Sequence, residues 1–362
     1  MLFRPLHLRA FARCLLATCL AATFAEAAEV TPGTTSGALH AANPRMLSGG
    51  LYSALAAQGA FGGIVPPSRA RANGVTDLSK GKPPAVLDAR VGANLRLGDD
   101  PAALPATQRG QAEPHITRSV ANPDLLVATF QEGRLVDGGS IDCGYALSTD
   151  SGLSWTRSLI PQLTVASGGP YRRATDPVAA VGPQGDLYLA TLVSIDDAFG
   201  AADVVVSRSI DNGATSLTPT IAFHQTTPLA APDKDWLAVN DFPGTPNSGR
   251  LVATWTNFTS TATGASTGSN LLAAVSDDRG VTWSAPIAMT AAGSFNQGTQ
   301  PLFLPDGSLA VIYITFLNPN NASVFSIQCK RSADGGRTFP AAATSVVNLV
   351  SGYDDPDLRR HP

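Results

Sequence analysis

The segment Ser276-Asp-Asp-Arg-Gly-Val-Thr-Trp283 carries the motif from which the fold can be predicted. It follows an apolar run and has the form Ser-x-Asp-x-Gly-x-Ser/Thr-aromatic. The Asp278 carboxylate can accept hydrogen bonds from backbone N–H groups two or three residues further on. Gly280 supplies a backbone conformation with positive φ, and Trp283 is placed to pack between sheets. The pattern therefore predicts a tight turn that joins two β-strands.

The same turn occurs four times along the chain. Its aspartates are separated by 61, 67 and 56 residues, and Ser216 stands where the second copy should carry its aromatic residue. An enzyme rarely needs one acid four times at such a period, so a structural role is expected for these turns. The residues that define the copies are Asp150, Gly152 and Trp155; Asp211 and Gly213; Asp278, Gly280 and Trp283; and Asp334, Gly336 and Phe339.

A second element repeats in phase with these turns. An acid or amide beside a turn begins each repeat, at Glu113, Asp176, Asp235 and Gln300, and Asp355 begins a fifth. Apolar strands follow, so that each repeat of about 60 residues holds four short strands. One four-stranded sheet cannot bury both of its faces. Stacking such sheets around an axis hides these faces, which predicts an all-β β-propeller with about four full blades.

These turns are the Asp-box, or BNR, repeat, and the chain resembles the sialidase superfamily of β-propellers over residues 112–362. The resemblance implies that each Asp box joins the third and fourth strands of a blade, on the face opposite the active site. It also implies a ring of six blades, of which this sequence would hold an incomplete set. The face with the active site would carry the loops that enter the innermost strands and the loops between the second and third strands.

Composition limits the function classes. The chain has 362 residues, of which 44% are hydrophobic and 15% charged, so it is able to bury a substantial core. The formal net charge of −3 provides no basic field for nucleic acid. No segment after the first residues approaches the length of a membrane span. A glycan or glycoconjugate is the expected partner.

The chain divides into three parts. Residues 1–27 combine three arginines, a short apolar run and small residues at a cleavage site, which predicts a signal peptide and a secreted or periplasmic protein. Residues 28–111 read as a linker rich in Ala, Gly and Pro. Residues 112–362 form the propeller. Two cysteines follow the leader, Cys143 and Cys329, and we expect two strand residues rather than a disulfide.

The family geometry brings charged residues from several repeats to one opening. The catalytic candidates are Glu113, Glu132, Asp176 and Asp235. The substrate-binding candidates are Arg134, Arg172, Arg173 and Lys234. Further polar residues on the same loops are His115, Asp137, Asp196, Asp197, Asp233 and Gln300.

Sialidase chemistry uses three arginines for the substrate carboxylate, a tyrosine nucleophile activated by a glutamate, and an aspartate as acid/base. The Phe/Tyr-Arg-Ile-Pro motif of the family is absent here, and no glutamate follows Glu132. The acids that begin the repeats have three other interpretations. Its carboxyl groups can act as an acid/base pair in another glycoside hydrolysis, bind Ca²⁺, or cap their own turns.

Two functions therefore remain open at this stage. The first is a secreted, exo-sialidase-like glycoside hydrolase that acts on glycans. The second is a non-catalytic propeller that binds a glycan or a protein, because a fold does not decide a function.

Overall fold

A computed structural model describes residues 95–98, 110–135, 139–196, 202–211, 213, 217–317 and 324–350. This part of the chain contains sixteen β-strands, one short 3-10 helix at Val165–Ser167 and no α-helix. The all-β prediction is confirmed. The expected signal peptide, most of the linker and the start of the fifth repeat lie outside the described residues.

The sixteen strands form four blades of four antiparallel strands, of which the first two are joined into one eight-stranded sheet by the pairing of Ser140 with Ala174. Blade 1 consists of β1 (Gln111–Arg118), β2 (Leu126–Arg134), β3 (Ser140–Ser148) and β4 (Thr156–Leu159). Blade 2 consists of β5 (Arg173–Val181), β6 (Leu187–Ser194), β7 (Ala202–Ser209) and β8 (Thr218–His224). Blade 3 consists of β9 (Ala230–Val239), β10 (Leu251–Ser260), β11 (Ser266–Ser276) and β12 (Ile287–Ala288). Blade 4 consists of β13 (Asn296–Phe303), β14 (Leu309–Phe316), β15 (Val324–Ser332) and β16 (Thr344–Val350).

The hydrophobic cores lie between successive blades. Leu189 of β6 is buried in a core shared with blade 1, whereas Val204 of β7 is buried in a core shared with blade 3. Because successive side chains of a strand point to opposite faces, Leu251 packs toward blade 2 and its neighbour Val252 packs toward blade 4. Both faces of β10 are thus buried, as the radial stacking of sheets requires.

The Asp boxes form the turns that the sequence predicts, between the third and fourth strands. In the third box, Asp278 Oδ1 accepts hydrogen bonds from Ser276 Oγ (2.8 Å) and from the Thr282 backbone N–H (2.9 Å). The Gly280 N–H donates to Ser276 Oγ at 2.8 Å, and the φ of Gly280 is 80°. Asp150 and Asp334 make the corresponding bonds in their own boxes. These hydrogen bonds hold the turns together, as the structural interpretation of the aspartates predicts.

Each of the last two Asp boxes also contacts the preceding blade. Trp283 packs against the core between blades 2 and 3, and Phe339 packs against the core between blades 3 and 4. Thr220 of β8 donates a hydrogen bond to the Gly280 carbonyl at 2.8 Å. Arg250 donates one to the Asp334 carbonyl at 2.6 Å. The turns therefore hold neighbouring blades together as well as joining strands.

The strand register separates two ends of each blade. Gln111, at the start of β1, pairs with Glu132, which pairs with Asp142 near the start of β3. Leu126, at the start of β2, pairs with Ser148, where the Asp box begins. The entrance to the innermost strand therefore lies at the opposite end of the blade from the Asp box, as the family resemblance implies.

Three further features of the described residues lie outside the arrangement of the strands. Cys143 and Cys329 are both free thiols, so the expectation of two unpaired strand residues is confirmed. Ahead of β1, Leu97 packs against Phe130 on the outer face of blade 1. Within the described ranges there is no helix whose length and hydropathy suit a membrane crossing.

Candidate active site

The innermost strand of every blade carries a β-bulge near its start. The register shifts between residues 112 and 115 in β1, 175 and 178 in β5, 233 and 236 in β9, and 297 and 300 in β13. The first residue inside each bulge is therefore Glu113, Asp176, Lys234 or Gly298. This register corrects the alignment expected from the sequence, which matched Asp235 and Gln300 to Glu113 and Asp176. The true equivalents are Lys234 and Gly298, one and two residues earlier.

All four bulge residues have a left-handed backbone. The φ values are 51° for Glu113, 51° for Asp176, 49° for Lys234 and 71° for Gly298. Left-handed geometry is unfavourable for residues with a Cβ, at about 1 kcal/mol or more each. Three long charged residues occupy such positions here, and their side chains converge from three different blades. Backbone strain retained at converging side chains is typical of a functional site.

Lys234 is the centre of this cluster. Its Nζ lies 2.6 Å from Asp176 Oδ1 and 3.5 Å from Glu113 Oε1. The Asp176 side chain is 5% exposed, whereas those of Lys234 and Glu113 retain 21% and 22% exposure. Burial opposes the charge on Lys234, but the carboxylates of Asp176 and Glu113 outweigh it and raise the pKa of the ammonium group. The lysine is therefore held in its charged form.

Polar side chains hydrogen-bond to these carboxylates and to one another. Gln131 of β2 donates from Nε2 to Glu113 Oε2 (2.9 Å) and to Thr175 Oγ1 (2.6 Å). Thr175 Oγ1 lies 3.4 Å from both Glu113 Oε2 and Asp176 Oδ2. Arg134 donates to Gln131 Oε1 at 2.7 Å, which orients the amide. Sequence reasoning missed Gln131 and Thr175, because one uncharged polar residue within an apolar strand gives no distinct signal.

Glu113 and Asp176 are in opposite electrostatic situations. Burial disfavours the ionised form of Glu113, but Lys234, hydrogen bonds involving Asp176 and the charge of Arg134 lower its pKa to about 2. Burial and the facing Glu113 carboxylate raise the pKa of Asp176 well above its usual range, and Lys234 only partly opposes this. Two neighbouring carboxyl groups that cannot both ionise easily are able to divide acid and base roles between them.

Asp235 adds a second buried acid beside this pair. It is 2% exposed, and neither carboxyl oxygen hydrogen-bonds to another group in the described part of the chain. Burial and the nearby Asp176 raise its pKa well above the usual range. Its neighbour Asp233 is also buried, and accepts a hydrogen bond from Gln297 Nε2 at 3.2 Å. The proximity of Asp235 to the cluster was predicted, although its place in the repeat was not.

His115 links three blades just beyond the bulge. Its Nδ1 accepts a hydrogen bond from the Ala179 backbone N–H at 3.2 Å. Its ring meets the Trp236 ring edge to face, with centroids 5.2 Å apart. Burial lowers the pKa of His115 to about 4, so the imidazole is neutral at pH 7. The residue therefore contributes packing near the cluster rather than charge.

Several sequence candidates lie away from the cluster. Glu132 occupies the other face of β2 and accepts a hydrogen bond from Gln111 Nε2 at 2.9 Å. Arg172 is exposed, and Arg173 is buried at the start of β5. Gln300 pairs with Ile312 after the bulge. Two loop candidates, Asp137 and Asp197, lie outside the described residues. A third, Asp196, accepts a hydrogen bond at Oδ1 from Ser194 Oγ at 3.2 Å.

Two expected kinds of site can be checked against the same residues. In the described ranges, no group of three or more His, Cys, Asp or Glu side chains has an arrangement that would hold a metal ion. The four tyrosines of these ranges, Tyr145, Tyr171, Tyr188 and Tyr313, have pKa values raised first of all by burial. The Tyr171 hydroxyl donates a hydrogen bond to Asp203 Oδ2 at 3.2 Å, and its partner is therefore not a glutamate. An activated tyrosine nucleophile would need the opposite shift.

The chain has a β-propeller fold that solved enzyme structures share. The α-L-arabinofuranosidase Arb93A from Fusarium graminearum, in complex with an iminosugar inhibitor, superposes with a TM-score of 0.50 at 15% identity over 69% of each chain. The Penicillium chrysogenum α-L-arabinanase complexed with arabinobiose gives 0.48 at 18% identity, over 68% of this chain and 69% of that one. A leech intramolecular trans-sialidase gives 0.46 at 15% identity, over 71% and 53%.

At the level of sequence alone there is less to compare. No protein-family profile and no curated protein matches this chain. At these identities the structural likeness concerns the fold, and the function must be argued from the site.

Proposed function

We propose that this protein is a glycoside hydrolase that acts on glycans at the cluster of Glu113, Asp176 and Lys234. The observation that carries the proposal is a pair of neighbouring carboxyl groups on Lys234, one nearly buried and one partly exposed, whose pKa values are shifted in opposite directions. A glycosidase needs such a pair, because the leaving oxygen must be protonated while a carboxylate stabilises or attacks the developing positive charge.

The roles follow from burial and electrostatics. Asp176 is nearly buried and its pKa is raised, so we assign it as the general acid. Glu113 is ionised and partly exposed, so it is the carboxylate that faces the sugar as nucleophile or base. Lys234 holds both groups in place by contacts to each. Asp235 provides a second buried carboxyl group beside Asp176, and its pKa is also raised.

The solved structures named above indicate which substrates to test. By name, these three proteins are enzymes that act on arabinose-containing or sialic-acid-containing compounds. The exo-sialidase version of the proposal needs a tyrosine activated by a glutamate. The tyrosine environments described above favour a hydrolase that uses carboxyl groups instead.

The experiment is turnover by the purified protein on a panel of fluorogenic glycosides that includes an α-L-arabinofuranoside and a sialoside. We expect hydrolysis of at least one glycoside, and a loss of about 10²–10⁴ in kcat for Asp176→Asn, because a general acid contributes on that order. The matched control is Asp306→Asn, in the exposed β13–β14 hairpin at the other end of the blade. Absence of turnover, or equal activity of the two variants, would contradict the proposal.

A second candidate is a non-catalytic, glycan-binding propeller. The observation that favours it is the direct 2.6 Å contact of Lys234 with Asp176, because an internally paired carboxyl group needs no substrate to satisfy it. Retention of glycans without turnover would support this candidate. We also propose export through the signal peptide at residues 1–27, which N-terminal sequencing of the mature protein tests directly.

A further inference from the structure

The fourth bulge position differs from the other three. Gly298 has no side chain, and a Cβ built on its backbone would meet no atom within 4 Å. The equivalent positions of the other blades carry Glu113, Asp176 and Lys234. The backbone here is nevertheless fixed, because the Gly298 N–H donates to Thr256 Oγ1 at 3.3 Å. The ring of charged side chains is therefore open on the side of blade 4.

The cations around this opening are already engaged. Lys234 contacts two carboxylates, and Arg134 donates to Gln131. Arg172 and Arg173 also have interactions of their own. The cation at the centre of the cluster, Lys234, is therefore already paired with two carboxyl groups.

Carboxyl groups outnumber the cation of the cluster. Glu113, Asp176, Asp233 and Asp235 lie around the ammonium group of Lys234, and Glu113 is the one that keeps about a fifth of its side chain exposed. A sugar carboxylate that enters beside Glu113 would meet its ionised carboxylate, and such like-charge contacts are unfavourable. Neutral hydroxyl groups can instead donate hydrogen bonds to carboxylate oxygens.

Asp235 gives independent support for a ligand at this position. Its carboxyl group is 98% buried, and its two oxygens lack partners in the described chain. A buried polar group without a partner is unfavourable unless something satisfies it. Together with the open side at Gly298, this points to a ligand with hydroxyl groups.

We infer that the site accepts an uncharged sugar ring, which lies across Gly298 beside Lys234. This inference rests on the proposed function for the identity of the ligand as a glycan, but not on turnover. Gly298 is then a specificity-determining residue, because any side chain there would occupy the position of the ring.

The test is equilibrium binding of the purified protein to an array of neutral oligosaccharides and their sialylated or uronic-acid-containing counterparts. The strongest neutral glycan is then titrated against Gly298→Asn, since asparagine tolerates a left-handed backbone. The matched control is Gly244→Asn. Gly244 has a φ of 74° and no atom within 4 Å of a built Cβ, and it lies in the β9–β10 hairpin at the opposite end of blade 3.

We expect neutral glycans to bind, Gly298→Asn to weaken their binding at least about tenfold, and Gly244→Asn to leave it unchanged, with similar thermal unfolding of both variants. Binding of acidic glycans only, binding of none, or equal binding by the two variants would overturn the inference. Binding across Gly298 without hydrolysis would overturn the proposed function and leave this inference standing.

Discussion

Replacement of Lys234 by methionine should destabilise the protein, because it leaves two buried carboxyl groups without their cation. Removal of one partner from a buried ion pair costs about 3–5 kcal/mol in general. Lys234 and Glu113 keep roughly a fifth of their side-chain surface exposed, so we expect about 2–4 kcal/mol at pH 8. For a folded unit of about this size, 3 kcal/mol corresponds to roughly 6–12 °C in Tm.

The destabilisation should depend on pH. In the wild type, the pKa of Glu113 is lowered to about 2, so its ionised form stabilises the fold above its ordinary pKa of 4.5 and this contribution is lost as pH falls toward 2. Lys234 also opposes the rise in the pKa of Asp176, so its removal lets burial and Glu113 raise that pKa further. The variant then binds a proton more readily when folded, and its stability falls as pH rises from 4.5. The difference between wild type and variant should therefore be larger at pH 8 than at pH 4.5.

The assay is urea unfolding of both proteins at pH 4.5 and pH 8. Arg331→Met is the matched control, because the Arg331–Asp306 pair has both side chains more than half exposed and should contribute less than about 1 kcal/mol. A second variant, Lys234→Met with Asp176→Asn, should recover part of the loss by removing a surplus carboxyl group. Equal effects of Lys234→Met and Arg331→Met, or a loss independent of pH, would refute the reasoning.

Three further predictions concern the scaffold. Burial raises the pKa of Asp142 to about 6, so the wild type loses stability as pH rises through 6. The Asp142→Asn variant should lack this loss. Between pH 4 and pH 8 its stability, measured by thermal unfolding, should gain up to about 3 kcal/mol relative to the wild type. Gly336→Ala should lower the free energy of urea unfolding by about 2–4 kcal/mol, since φ is 98° and the new Cβ would lie 2.9 Å from Val252 Cγ2. The control Gly249→Ala, at φ 84° with open space around the Cβ, should lower it by about 1 kcal/mol. Similar losses in the two variants would contradict the account. Asp278→Ala should lower stability by about 1–3 kcal/mol but leave glycan binding unchanged in titration, because its turn lies at the far end of the blade from the cluster.

The fold could be predicted from the sequence because one local motif determines a large part of it. The Asp box contains its own hydrogen-bond donors and acceptors, so Ser276, Asp278 and Gly280 specify a turn without help from distant residues. Repetition of that turn at a constant period then requires similar sheets that must stack. The aromatic residue of the box completes the pattern, since Trp283 packs between blades where the sequence predicts it.

The site could be predicted only in part, since it depends on register. Glu113 and Asp176 were identified because each precedes a proline at the start of a repeat. In the third repeat the acid at the start of the strand selected Asp235 instead of Lys234, because a bulge is defined by pairing with β10 and not by a residue type. Glu132 was expected near Glu113 from its loop, but a strand alternates its faces, so Gln131 reaches the cluster in its place.

The central claim is that the pKa of Asp176 is raised beside an ionised Glu113. The most direct test is ¹³C NMR titration of the aspartate carboxyl carbons, with the Asp176 signal assigned by its loss in Asp176→Asn. The account predicts that Asp176 titrates well above the ordinary aspartate pKa and that Lys234→Met moves its midpoint further upward. A midpoint near the ordinary value of about 3.9 in the wild type would contradict the account.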